Sequence, residues 1–177
     1  MAKFTKPVGK IVVTGDPIIE ELKVENVSYM YPARFVKKGT GDDDVVVCAA
    51  ATDLPVGLLG YEQAHASYKP ATITTLYALN AWAPVLKGGK FLAVVKLTAD
   101  SVVKGDLLIL ASQGRVRKAV VQSVAVPVGG TAVTSTAAQP DLTEAGSIPA
   151  GGQVVARAEE TQDASGADKD LMATIFP

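Results

Sequence analysis

The chain has 177 residues, of which 48% are apolar, and its 17 basic and 18 acidic side chains leave a formal net charge of −1. Because the charges are mixed without a long block of one sign, neither nucleic acid nor an anionic membrane surface is expected as a partner. The apolar runs fall far short of the about 18 residues that span a bilayer, and the N-terminus lacks the apolar segment of a secretory signal.

Valine, alanine, threonine and glycine dominate the sequence, which predicts a mainly β protein. The first 28 residues form a leading segment. Residues 10–13 are a predicted strand that ends at the turn signal Gly15-Asp16-Pro17. A helical turn is predicted over residues 18–21, because Asp16 and Pro17 precede it as helix-start signals. Residues 22–25 then alternate with the period of a strand.

The next part of the sequence predicts a hairpin. Residues 29–39 form its first strand, residues 41–44 an acidic turn, and residues 45–49 its second strand. Residues 55–62 follow as a buried strand, whose glycines indicate a bulge or a close backbone approach.

Alternation of apolar and polar residues is clearest between residues 71 and 119, where five short strands are predicted. They are residues 73–77, 82–86, 91–97, 107–110 and 115–119. Within residues 91–97 one face carries Phe91, Ala93, Val95 and Leu97. Strands this short, with turns this frequent, are typical of a small barrel or sandwich.

Residues 120–152 have few charges and are predicted to be a hairpin with a long loop, and residues 153–159 and 171–176 are the last two predicted strands. Residues 55–62 and 153–160 resemble each other, since each is a strand of small and apolar residues that ends in acid. A two-lobed barrel that arose by duplication is therefore an open alternative to a single barrel.

The sequence shows no catalytic motif, and no catalytic, cofactor-binding or metal-binding residue is assigned. His65 is the single histidine and lies in a polar stretch, so it is predicted to be a surface residue. Cys48 lies in an apolar strand and is predicted to be a buried hydrophobe. Gly88-Gly89-Lys90 lacks the first glycine and the hydroxyl residue of a phosphate loop, and a hairpin turn explains it better.

Two further groups of residues have a structural and a functional interpretation. Residues 42–44 and the set Asp163, Asp168 and Asp170 are acidic clusters that are expected to be solvated loops, although converging carboxylates would suit Ca²⁺. The aromatic residues concentrate in the first half of the chain and suit a core or a subunit contact, because no basic groove accompanies them. They are Tyr29, Tyr31, Tyr61, Tyr68, Tyr77 and Trp82.

Several segments together resemble phage capsid decoration proteins of the cement type, and the resemblance covers roughly residues 29–176. The segments are residues 30–39 (MYPARFVKKG), 55–62 (PVGLLGYE), 103–108 (VKGDLL), 114–119 (GRVRKA) and 154–160 (VVARAEE). Ala33 departs from the pattern, because a turn glycine is expected there. The stretch 120–152 is also unusual for the family.

The resemblance implies a small β-barrel on the exterior of a viral head, commonly a homotrimer, that bridges major capsid subunits after the shell expands. Residues 1–28 would be an N-terminal arm that adds to a partner's sheet edge, and residues 29–177 the decoration domain with a variable insertion at 120–152. Deletion of the arm would then weaken attachment and leave the barrel folded. Such a protein is not an enzyme, needs no cofactor, and belongs to a virion assembled in the host cytoplasm.

A second function remains open on the sequence alone. Small β-barrels and sandwiches often bind carbohydrate or act in adhesion, and an exposed cluster around Tyr61, Tyr68 and Trp82 would suit that use.

Overall fold

The computed structural model describes residues 6–88, 90–119 and 153–176, which form thirteen β-strands and one 3-10 turn, Ser112–Gly114. The strands are β1 Val12–Thr14, β2 Ile18–Val24, β3 Phe35–Lys38, β4 Asp44–Val47, β5 Gly57–Leu59, β6 Trp82–Lys87, β7 Phe91–Leu97, β8 Ser101–Val102, β9 Leu107–Leu110, β10 Val116–Lys118, β11 Val154–Ala158, β12 Gln162–Asp163 and β13 Lys169–Ile175. In this part of the chain no helix is long and apolar enough to cross a bilayer. The prediction of a mainly β fold is confirmed.

Five strands close into a first ring in the order β2-β4-β3-β5-β6, which we call barrel 1. Its longest ladder is antiparallel and joins β2 to β6, from Ile18 opposite Lys87 to Lys23 opposite Trp82. The predicted hairpin is present as β3 and β4, with Val36 opposite Val47. The other neighbour of β2 is β4, which it pairs in parallel.

Five later strands close into a second ring in the order β7-β10-β9-β11-β13, which we call barrel 2. Here β7 and β13 pair over their whole length, from Leu97 opposite Lys169 to Phe91 opposite Ile175. Strand β1 joins the outside of this ring, where Val12 lies opposite Ala93. Strands β8 and β12 form a separate two-stranded sheet.

The two barrels repeat one topology. In each ring the first strand in sequence pairs in parallel with the third and antiparallel with the fifth, and every other pairing is antiparallel. The two segments that resemble each other, residues 55–62 and 153–160, contain β5 and β11, and these are the fourth strands of their rings. The two-lobed alternative therefore describes the architecture.

Barrel 1 has one buried layer inside its ring and a second between the two barrels. Neighbouring residues alternate between the layers, so that Val36 and Leu59 face the interior of barrel 1 whereas Phe35 and Leu58 belong to the cluster shared with barrel 2. All four side chains are fully buried. A strand buried on both faces needs a continuous apolar run, which explains why residues 55–62 do not alternate.

Two local predictions are wrong. The predicted helical turn over residues 18–21 is the beginning of β2, because Ile18 and its successors pair with β6 along the ring. The predicted strand over residues 73–77 is a turn region, in which the Thr72 hydroxyl lies 2.8 Å from that of Thr74 and the Thr75 amide bonds to the Thr72 carbonyl. Such local bonds compete with a sheet ladder.

The leading segment is part of both barrels. Val12–Thr14 lies on barrel 2 and Ile18–Val24 is a strand of barrel 1, so β structure begins before residue 29. Lys6 also contacts barrel 2, because its Nζ lies 2.7 Å from Glu160 and donates to the Asp170 carbonyl at 2.6 Å. The predicted hairpin and loop at 120–152 lie outside the described residues.

The acidic residues that end the two similar segments both accept backbone hydrogen bonds. Glu62 accepts hydrogen bonds from the backbone amides of Ile11 and Val12 and so fastens β1 to barrel 1. Glu160 accepts one from the Met172 amide at 2.8 Å. Each carboxylate thus satisfies backbone donors on a neighbouring segment.

Replacing Glu62 by alanine is expected to lower the free energy of unfolding by about 1–3 kcal/mol, because two partly buried amides lose their acceptor. Urea unfolding of the full chain measures the change. Glu20→Ala is the matched control, since it removes an exposed carboxylate paired with Lys87 and should cost below about 1 kcal/mol. Equal effects of the two substitutions would contradict the role assigned to Glu62.

Candidate functional site

Histidine and cysteine are residue types often used in catalysis, and this chain has one of each, His65 and Cys48. His65 is exposed, and its Nδ1 accepts a hydrogen bond from the Ser67 amide at 3.3 Å. Cys48 is fully buried in the cluster between the barrels. Burial is the main cause that raises the pKa of the Cys48 thiol to about 12, with the charge of Asp53 in second place. A thiol with that pKa remains protonated and is a poor nucleophile at neutral pH.

Members of both acidic clusters are paired with cations. In the first cluster Asp42 lies 2.6 Å from Lys38, and Asp44 lies 3.0 Å from Lys23. In the second, Asp168 pairs with Arg115 and Asp170 with Lys96. Among residues 6–88, 90–119 and 153–176, no three His, Cys, Asp or Glu residues are grouped so as to hold a metal ion.

The aromatic residues divide among several environments. Tyr77 is fully buried in barrel 1, and its hydroxyl donates to the Gly60 carbonyl at 2.8 Å. Tyr61 and Trp82 are half-buried, whereas Tyr68 is more exposed. Tyr29 and Tyr31 line a cavity. Tyr29 and Tyr31 therefore belong neither to the core nor to a single stacking platform, but to the wall of this cavity.

This cavity has a volume of about 450 Å³ and lies between residues of the two barrels; we call it the junction cavity. Its volume falls within the range of about 300–1,000 Å³ that is usual for ligand sites. Its wall is apolar and aromatic over most of its extent and includes four charged side chains. The lining residues are Ile11, Tyr29, Tyr31, Pro32, Ala33, Arg34, Ile73, Thr74, Val94, Lys96, Gln113, Asp168 and Asp170.

Arg34 is the most deeply buried charged residue of this wall, with 8% of its surface exposed. Its guanidinium carbon lies 5.8 Å from the centroid of the Tyr31 ring. Within the described residues no atom accepts a hydrogen bond from its Nη1, which is itself fully buried. Burial lowers the pKa of Arg34, and the nearby charge of Asp168 opposes that effect. The side chain therefore bears a desolvation cost that its neighbours offset only in part.

Unfavourable backbone conformations concentrate around the same cavity. Five non-glycine residues in the described part of the chain have a positive φ, and three of them line the cavity: Tyr29 (60°), Ala33 (64°) and Gln113 (63°). Such conformations cost of order 1–3 kcal/mol each and are often found at ligand sites. The value at Ala33 explains why the sequence pattern leads one to expect glycine there.

The other charged residues of the wall are held by ion pairs. Arg115 Nη1 donates to both carboxylate oxygens of Asp168, each at 3.0 Å, and Lys96 Nζ donates to Asp170. Burial alone would raise the pKa of Asp168, but hydrogen bonds from Thr98 and Arg115 and the charges of Arg115 and Arg34 hold it below its ordinary value. The Arg115–Asp168 pair ties the turn before β10 to the loop before β13.

This pair gives a prediction for the pH dependence of stability. A carboxyl group whose pKa is lower in the folded chain stabilises the fold above its unfolded pKa of about 4, and this contribution is lost as the pH falls through the folded pKa. Asp168→Asn is therefore expected to be less stable than the wild type at pH 7 and to lose less stability between pH 5 and pH 3.

Urea midpoints at several pH values measure this effect. Asp16→Asn, which makes the same charge change at an exposed position, is the control. If Asp168→Asn and the wild type lost stability equally on acidification, Asp168 would not contribute to the acid dependence.

The motifs behind the family resemblance have structural roles. Gly105 adopts a φ of 99°, and Asp106, which follows it, pairs with Lys118 at 2.8 Å. Gly114 adopts a φ of 66° and donates its amide to the Cys48 carbonyl at 2.6 Å. Arg115 then holds Asp168. These motifs specify the turns and ties of barrel 2 and its contact with barrel 1.

In a comparison with protein families, residues 7–148 match the structural cement protein family (E217 gp24/Pam3 gp6). The chain belongs to the phage structural cement protein family. The resemblance inferred from the motifs is thereby confirmed, and the match begins at residue 7, within the segment predicted as an arm. A cement protein of this family is a phage structural protein.

No curated protein sequence matches the chain. Among solved structures, the N base of the head fiber gp8.5 in bacteriophage phi29 is similar, with 12% sequence identity and a TM-score of 0.48. The match covers 89% of this chain and 92% of that one.

Sequence reasoning missed the junction cavity and Arg34. The residues come from distant parts of the sequence, since Arg34 and Tyr31 precede β3, whereas Asp168 directly precedes β13 and Asp170 lies in it. The local signal was the segment Tyr29 to Phe35, which combines two tyrosines, a proline, a turn position and an arginine.

Proposed function

We propose that this protein binds the exterior of a phage head and stabilises the expanded shell by bridging neighbouring major capsid subunits. The observation that carries the proposal is the match of residues 7–148 to the structural cement protein family. A subunit that binds the expanded lattice and not its precursor stabilises the expanded state by mass action and multivalency, and it needs no chemical step.

The fold supports a mechanical role of this kind. Two closed barrels share one buried cluster, so a load applied to one barrel is transmitted to the other through packed side chains. The bridging mechanism needs two separate attachment faces on one body, and a pair of rings offers them. We place the protein in the virion, after assembly in the host cytoplasm, with the major capsid protein as its partner.

We extend the proposal to the oligomer and the arm. A homotrimer would suit a local threefold position of the shell. In this chain Val12–Thr14 pairs with the outside of barrel 2, Ile18–Val24 is a strand of barrel 1, and Ile11 is buried in the core. We therefore assign the arm role to the residues that precede Ile11.

Co-sedimentation of the purified protein with particles of its parent phage, before and after expansion, tests the proposal. We expect saturable binding to expanded shells and a rise in their heat stability. Equal binding to both forms would overturn the selective stabilisation, and absence of binding to either would overturn the function. In that case the carbohydrate-binding alternative would be tested on a glycan array, with Tyr68 as the exposed aromatic residue to substitute.

A further inference from the structure

The junction cavity contains one charged group whose pairing is incomplete within the described residues. Asp168 is engaged by Arg115 through both carboxylate oxygens, and Asp170 is engaged by Lys96. Arg34, in contrast, is 8% exposed, and its buried Nη1 has no acceptor among those residues. Nη1 itself has no exposed surface, so a group in the cavity would meet the small part of Arg34 that remains exposed. A hydrogen-bond acceptor with negative charge is favoured there.

Holding the buried charge of Arg34 in the cavity wall costs the folded protein free energy. A buried charge without a full set of partners is destabilising, and replacing such a group by an apolar side chain is often neutral or stabilising. Ala33, which directly precedes it, has a φ of 64°, and Tyr29 and Gln113 add comparable strain around the same cavity. Strained backbone and an incompletely paired cation at one site are typical of a preorganised binding site.

The shape and chemistry of the wall restrict the ligand. A guanidinium group presents a planar set of donors that matches a carboxylate. Around it, Ile11, Ile73 and Val94 offer apolar surface and the two tyrosines offer rings. The ligand that would complement this wall is a carboxylate attached to an apolar stem. An acidic side chain beside apolar residues meets that description, and so does a polypeptide C-terminus.

We propose that the junction cavity receives a carboxylate-bearing segment of the major capsid protein, and that Arg34 pairs with this carboxylate. The inference rests on the proposed function, because it names the contact by which the protein binds the shell. Residues of both barrels line the cavity, so one inserted segment would contact both of them. Tyr29, of which 47% is exposed, would lie against the segment as it enters.

The test compares full-length variants by titration onto expanded shells and by thermal unfolding of the isolated protein. Arg34→Met keeps an unbranched apolar stem and removes the charged guanidinium, and it is expected to bind shells at least tenfold more weakly. The melting temperature of the isolated protein should be unchanged or raised, because an incompletely paired buried charge has been removed. Arg34→Lys keeps the charge without the planar donors and should give a smaller loss of binding.

Lys104→Met is the matched control, because it makes the same charge change on a side chain that is 70% exposed and should bind within twofold of the wild type. If Arg34→Met bound shells as the wild type does, the cavity would not be the contact, and the proposed function would stand. A fall of its melting temperature by more than a few degrees would show that Arg34 has an internal role and would also overturn the inference. If the wild type itself did not bind shells, both proposals would fail.

Discussion

Deletion of residues 1–28 is expected to abolish cooperative folding. The deletion removes β2, whose ladder with β6 runs from Ile18 to Lys23 and which also pairs with β4. It removes Leu22 and Val24 from the core of barrel 1 as well. An opened ring exposes two unpaired strand edges, and a domain whose total stability is about 5–15 kcal/mol does not survive the loss of a central strand. Near-ultraviolet circular dichroism and calorimetry of the truncated protein measure the outcome.

Deletion of residues 1–9 is the control, because it leaves β1 and β2 intact and removes the contacts of Lys6 with Glu160 and the Asp170 carbonyl. Exposed ion pairs contribute about 1 kcal/mol or less, so the melting temperature should fall by only a few degrees. If the protein without residues 1–28 melted as cooperatively as this control, the leading segment would be an arm in the sense first predicted from the sequence.

Gly114→Ala is expected to lower the free energy of unfolding by about 2–5 kcal/mol. A left-handed conformation costs a residue with a Cβ about 1–2 kcal/mol, and overpacking adds about 1–3 kcal/mol. Gly114 has a φ of 66°, and an added Cβ would lie 2.6 Å from the Phe35 carbonyl oxygen and 2.7 Å from Val47 Cγ2. The substitution would thus force the turn before β10 away from barrel 1. Chemical denaturation of the purified variant measures the change.

Two other glycines separate the contributions to that effect. Gly105 has a φ of 99° with nothing within 4 Å of an added Cβ, so Gly105→Ala should show the conformational cost alone. Gly166 has open space and no positive φ, so Gly166→Ala should be nearly neutral. We expect the loss of stability to increase from Gly166 to Gly105 to Gly114. Equal losses at Gly105 and Gly114 would mean that the approach of Phe35 is not tight.

Local periodicity predicted the strands that are buried on one face. It did not predict structure that depends on pairing between strands distant in sequence. The alternation of Phe91, Ala93, Val95 and Leu97 placed β7 correctly, and all four residues lie in the core. The helix-start signal at residue 16 was overridden, because the chain after it completes a ring with β6. Periodicity reports the environment of one strand, whereas ring closure depends on partners that are distant in sequence.

The candidate site could be predicted only in fragments. The sequence indicated an unusual turn at Ala33, and the structure supplies the positive φ that makes it unusual. No local pattern predicts that Arg34 lies near Asp168, since their proximity follows from how the two barrels pack. A cavity whose walls come from distant strands has no local signature.

The closed rings also bear on how copies behave when they are crowded. Every strand of each ring has a hydrogen-bonded neighbour on both sides, so most of the ladder is closed to another molecule. The exception is the beginning of β2, because β2 pairs with β4 only at Lys23 and Val24. Strand β1 lies outside the rings, and the Glu62 carboxylate takes the amides of Ile11 and Val12 beside it. In a protein stored at high concentration before assembly, strand-to-strand pairing would thereby be limited to short edges such as the exposed beginning of β2, and other association would be governed by side-chain surfaces.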